Sequence, residues 1–183
     1  PNIQIPAIVI SYRTPSMKTR DARVLDLISS YLSDGKSSKL YKKIVDEKKM
    51  ALQIGAFGNS QEDYGMYIIY GLPMGTFKLE DLQKEIDEEI VKIQTNLISE
   101  KDFQKLKNTF DNKFVNANAS VEGIAENLAK YHMLYGDIHL INNEINLYHS
   151  ITREEIREVA KKYLNPNQRL ILDYVPSTEQ AQN

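Results

Sequence analysis

At 183 residues, with 42% hydrophobic and 26% charged residues, the chain has the size and balance of one globular domain with its own core. Its lack of cysteine excludes disulfides, thiolate nucleophiles and thiolate metal sites, and fits reducing and oxidising compartments alike. A formal net charge of -2 provides no overall field for nucleic acid or an anionic membrane, and no apolar run approaches the roughly 20 residues that span a bilayer.

The chain opens at Pro1-Asn2-Ile3, without Met, and enters a β-type segment almost at once, so a piece of a longer protein is expected. Ile5 to Arg13 is rich in β-branched residues and ends at Thr14-Pro15-Ser16, which predicts a strand and a turn. Val24, Leu25, Leu27, Ile28, Tyr31 and Leu32 recur at helical spacing and stop at Asp34-Gly35. A shorter helix capped by Ser37 or Ser38 is expected next, with Leu40, Tyr41, Ile44 and Val45 as its stripe. The period then changes: Ala51 to Phe57 and Tyr64 to Leu72 predict a hairpin with a long polar loop. The second of these strands is apolar on both faces, which places it inside a covered sheet.

From Leu79 the pattern is helical. Leu79, Leu82, Ile86, Ile90, Ile93 and Leu97 form one stripe, and Ser99 with Asp102 opens a second helix carrying Phe103, Leu106, Phe110, Phe114 and Ala117. The short link between the two predicts an antiparallel αα-hairpin. A further helix follows Ser120 and ends near Gly136, and another runs from Asp137 through Tyr148. Thr152 with Glu155 caps a last helix that Asn165-Pro166-Asn167 stops, before a strand from Arg169 to Val175. Residues 176–183 are polar and expected as a disordered tail. The order β-α-α-β-β, five helices, β predicts a single α+β domain over residues 1–183 with helices on at least one sheet face.

Chemistry is sparse in this pattern. His132, His139 and His149 lack the spacing of a zinc helix, with no H-E-x-x-H or H-x-x-E-H, and read as helix-surface residues. Glu85, Asp87, Glu88 and Glu89 lie opposite the Leu82-Ile86-Ile90 stripe, where a solvated face is expected rather than paired acid and base. The lysines between Lys36 and Lys49 are diluted by Asp34, Asp46 and Glu47 and lack interleaved aromatics, which argues against nucleic acid. Tyr12, Tyr64, Tyr67, Tyr70 and Tyr174 fall in predicted strands, as β propensity or an amphipathic binding surface would both place them.

One segment is more specific. Asp34 to Ala51 (DGKSSKLYKKIVDEKKMA) resembles the G-x-S-S-[RK]-L-[YF]…L-R-[ED]-x-[RK]-x-[LM]-A-Y stretch of the pitrilysin/insulinase zinc metallopeptidases, which include the mitochondrial processing peptidases. Tyr12-Arg13-Thr14-Pro15, Leu97-Ile98-Ser99-Glu100 and Ile151-Thr152-Arg153-Glu154-Glu155-Ile156 extend the resemblance over almost the whole chain. It implies a two-layer α/β sandwich of the metallohydrolase type, with a β-α-β-β-α-α core, a mainly antiparallel sheet, and an earlier strand upstream. Without H-x-x-E-H, the chain resembles the family's non-catalytic, clamp-type C-terminal domain. That implies a zinc-bearing companion domain, on the same chain or another, a peptide substrate enclosed between the two, zinc in the companion only, and no membrane insertion. The family's arginine and tyrosine substrate contacts fall on Val45 and Leu52, which donate no side-chain hydrogen bond; both are expected to face substrate as shape alone. A fold retained purely for assembly with other proteins is the alternative implication.

Overall fold

Alternating side chains build a sheet with two unlike faces. The computed structural model describes residues 5–176. Four strands, β1 (Ala7–Pro15), β2 (Ala51–Asn59), β3 (Tyr64–Pro73) and β4 (Arg169–Tyr174), pair antiparallel throughout in the order β2-β3-β1-β4. The first strand runs past its expected end to Pro15, which lies opposite Tyr64 at the terminus of the ladder, where a missing N–H is tolerated. Ile8, Ile10 and Tyr12 of β1, Tyr67 and Ile69 of β3, and Ile54 and Ala56 of β2 are buried on one face.

Helices α1 (Arg20–Ser33), α2 (Leu79–Thr95) and α6 (Arg153–Tyr163) cover that face. Thr19 caps α1 by accepting the Ala22 N–H, and Val24, Leu25, Leu27, Ile28 and Leu32 are buried beneath it. In α2, Leu82, Ile86, Ile90 and Ile93 do the same. Gly71 allows the closest approach, since a Cβ there would stand 3.0 Å from Leu82 Cδ2. A reciprocal capping box opens α6: Thr152 Oγ1 accepts the Glu155 N–H at 3.2 Å while Glu155 Oε2 accepts the Thr152 N–H at 2.8 Å.

Between them run α3 (Glu100–Ala117), α4 (Val121–Lys130) and α5 (Glu144–His149). The expected αα-hairpin is not the main packing: α2 packs chiefly on α6 and the sheet, and α3 chiefly on α1 and α5. Each helix follows its own apolar stripe to a different partner. The helix expected from Asp137 divides into a tight turn at Ile138–Asn142 and α5. The short helix after Ser38 is a wide π-type turn, Tyr41–Glu47, marked by the Lys48 N–H donating to the Lys43 carbonyl at 3.0 Å. Neither serine side chain caps it: Ser37 Oγ accepts from Lys105, and Ser38 Oγ has no partner among the described residues. The covered-sheet expectation for β3 is also corrected, since Tyr64 and Met66 are exposed and, among the described residues, the helices lie on one side of the sheet. The expected tail lies outside the described residues from 177 onward.

Two features make the fold's stability measurable. Lys49 holds φ at 52°, the left-handed region that costs a residue with a Cβ. Lys49→Gly is therefore expected to stabilise the chain by about 0.5–1 kcal/mol in denaturant unfolding. Arg20 grips Glu155 at 2.6 and 3.0 Å, joining the start of α1 to the cap of α6, and these hydrogen bonds, against the effect of burial, hold the Glu155 pKa below its ordinary value. Its contribution is present above the unfolded pKa of about 4.3 and is lost as pH falls through the lower folded value. Unfolding free energy should fall below about pH 4, and Glu155→Gln should flatten part of that slope.

Candidate functional site

The uncovered face of the sheet carries large apolar and aromatic side chains in cross-strand rows. Leu170, Ser11, Ile68 and Phe57 form one row, and Leu172, Val9, Tyr70 and Gly55 the next. Phe57, Met66, Leu170 and Leu172 are 40–57% exposed. Gly55 has no Cβ, so the Tyr70 ring lies across it; an added Cβ would meet that ring at 2.5 Å. Gln53 Nε2 donates to the Tyr70 hydroxyl at 2.9 Å, and Phe57 meets Tyr70 edge-on with ring centroids 6.3 Å apart. At the far corner the Arg13 guanidinium sits 4.0 Å over the Tyr64 ring, a cation–π pair. The strand tyrosines thus divide by face: Tyr12 and Tyr67 in the core, Tyr64, Tyr70 and Tyr174 on the open side.

Val45 and Leu52 lie on either side of the Lys48-Lys49-Met50 turn and in different surroundings. Val45 is half-buried against the core, and Leu52 is 54% exposed at an irregularity in the β2 ladder between Ala51 and Gln53. The residue patterns offered Tyr70 as a strand tyrosine open to either reading, but overlooked Phe57, Met66, Ile68 and Leu172 beside it. Their signal was present as apolar character on both faces of β3, but was assigned to burial.

His132 and His139 are exposed, and His149 Nε2 lies 2.7 Å from Asp111. Among the described residues, no three His, Asp or Glu side chains converge to hold a metal ion. The acidic cluster is not a solvated face. Glu85 and Glu89 are buried, and the Lys43 ammonium lies 2.9 Å from Glu85, 2.7 Å from Glu88 and 3.3 Å from Glu89. Burial works against the Lys43 charge, but these carboxylates outweigh it and raise its pKa above the ordinary lysine value. Lys48 also pairs with Glu85, and its attraction with that of Lys43 overcomes burial to hold the Glu85 pKa low. Asp87 takes Arg169 of β4, which also donates to the Tyr12 hydroxyl at 3.3 Å. These carboxylates join α2 to other elements through ion pairs.

The family described as Peptidase M16 inactive domain matches residues 1–110, more than half of the chain. The chain belongs to this family. The match takes in the Asp34–Ala51 segment, so the resemblance to a non-catalytic zinc-peptidase domain holds. The zinc protease PqqE of Helicobacter pylori is 25% identical over 166 residues, covering 91% of this chain and 37% of that protein. The uncharacterized zinc protease YmxG of Bacillus subtilis is 24% identical over 152 residues, covering 82% and 37%. The chain thus spans little more than a third of the length of these relatives. Among solved structures, a protease from Helicobacter pylori superposes with a TM-score of 0.89 at 24% identity, covering 95% of this chain and 42% of that one. A peptidase M16 inactive domain from Pseudomonas fluorescens gives 0.79 at 14% identity, covering 94% and 41%. These likenesses establish the two-layer fold of the M16 inactive domain.

Within this M16 domain, the Lys43 network predicts a structural cost. Lys43→Met should leave Glu85 and Glu89 undercompensated and destabilise by about 1–3 kcal/mol in chemical denaturation, while Lys43→Arg retains most of the stability.

Proposed function

We propose that this domain is the non-catalytic half of a zinc metalloendopeptidase, and that its open sheet face forms one wall of a chamber in which peptide is enclosed against a zinc-bearing companion domain. The observation that carries this reading is the uncovered apolar and aromatic face, since monomeric proteins rarely leave a contiguous patch of this kind without a partner. The curated relatives are named zinc proteases and are more than twice as long as this chain, which leaves room for a companion. Among the described residues no three His, Asp or Glu side chains converge on a metal; in this reading the zinc belongs to the companion, and no chemical step is assigned to this domain.

The face suits an extended peptide. Tyr70 and Phe57 offer flat apolar contact with few rotatable bonds, and Arg13 adds a cation at one corner. Leu52, exposed at the edge of β2, and Val45, half-buried against the core behind it, would bring shape without side-chain donors. The test places glutamate on this wall in the full-length protein. Met66→Glu with Leu172→Glu should lower kcat/KM on a fluorogenic peptide by at least about tenfold, roughly 1.4 kcal/mol of transition-state stabilisation, with the melting temperature of the 183-residue chain unchanged. Undiminished cleavage would contradict the chamber wall. A full-length protein that cleaves no peptide would favour the assembly-only role.

A further inference from the structure

At the outer edge of β2, on its helix-covered side, α1 and α3 border a groove of about 500 Å3. Leu27, Phe110, Phe114 and Tyr148 supply its apolar lining, with the Phe110 and Tyr148 rings stacked at 3.6 Å between centroids. Two carboxylates of α1, Asp26 and Asp34, stand about 12 Å apart along it, eight residues at about 1.5 Å each. Asp34 is neutralised by Lys113 at 2.6 Å. Asp26 is different. Its Oδ2 accepts the Tyr148 hydroxyl at 2.8 Å, but its Oδ1 accepts no hydrogen bond among the described residues and lies 3.5 Å from where a Cβ on Gly58 would be. The neighbouring Arg23 does not serve it, being held by Glu144 at 2.9 and 3.2 Å.

We propose that this groove binds a polypeptide segment through a lysine or arginine side chain, with the cation on Asp26 Oδ1 and the alkyl stem along Phe110, Phe114 and Leu27. Charge complementarity selects the occupant. An anion would meet the Asp26 carboxylate, with Arg23 held by Glu144 and Lys113 by Asp34, and with Lys130 as the remaining nearby cation among the described residues. A purely apolar group would leave Oδ1 without a partner. Asp26 is solvent-exposed where it lines the groove; desolvation by the protein around its carboxyl raises its pKa, opposed by the Tyr148 hydrogen bond and the charges of Lys130 and Arg23, while Glu144 adds to the rise. A seated cation favours the ionised carboxylate by direct attraction. The volume exceeds one side chain, and β2 offers main-chain contacts beside it. The Ala56 carbonyl faces outward, where it accepts Ser33 Oγ at 2.7 Å, and alternation turns the backbone of Gly58 the same way. The aromatic rings add attraction for a guanidinium.

The test uses the 183-residue chain and three acetylated, amidated pentapeptides, Ala-Ala-X-Ala-Ala with X as arginine, norleucine or glutamate, followed by amide chemical shifts. The arginine peptide should bind saturably and shift the amides of Gly58, Lys113 and Phe114, at least fivefold more tightly than the other two. Asp26→Asn, which still accepts from Tyr148, should remove that preference, and Ala117→Phe, which fills the groove, should abolish binding. Equal binding of the norleucine peptide, shifts confined to other amides, no binding at all, or an unaltered preference in Asp26→Asn would each overturn the proposal. Binding is read without proteolysis, so failure here leaves the chamber wall standing, and loss of the wall leaves the groove standing.

Discussion

The structure depends on a sheet that is apolar on both faces but covered on one. Ile8, Ile10, Tyr12, Tyr67 and Ile69 are sealed beneath α1, α2 and α6, and their burial supplies the core. Val9, Ile68, Tyr70 and Leu172 occupy the intervening positions on the same strands and lie on the face opposite the buried set, with Leu172 exposed. One-residue alternation makes the two faces inseparable, because a register slip that hid the second set would expose the first. The covered face therefore fixes what the open face presents.

Around this sheet, ion pairs join elements that lie far apart in the sequence. Arg169 binds β4 to α2 through Asp87, and Lys43 binds the wide turn before β2 to the same helix through Glu85 and Glu89. Arg23 with Glu144 ties α1 to the start of α5, and Arg20 with Glu155 ties it to α6. The more buried of these lie where removing one partner costs most, which favours a single arrangement over several. The open face itself is held by lighter contacts, such as Gln53 on Tyr70 and Tyr70 over Gly55.

Local chemistry was legible in the sequence, and tertiary choice was not. Thr152 with Glu155 and Ser99 before Asp102 mark helix starts because a cap is completed within four residues. The strands and the hairpin followed from period two. The partner of α2 did not follow, because an apolar stripe states that a helix buries a face without stating against what. Glu85 and Glu89 looked solvated because the lysine that neutralises them lies some forty residues upstream. The same limit hid the site: period two separates the faces of β3, but only the fold shows which one the helices leave bare.

The most direct test of the wall is to ask what touches it. A photo-cross-linking residue in place of Ile68 in the full-length protein, irradiated with a bound peptide, should join to the peptide or to the companion domain. The same residue in place of Val91, exposed on the outer side of α2, should join to neither. Equal yields at the two positions, or none at Ile68, would contradict a chamber wall on this face.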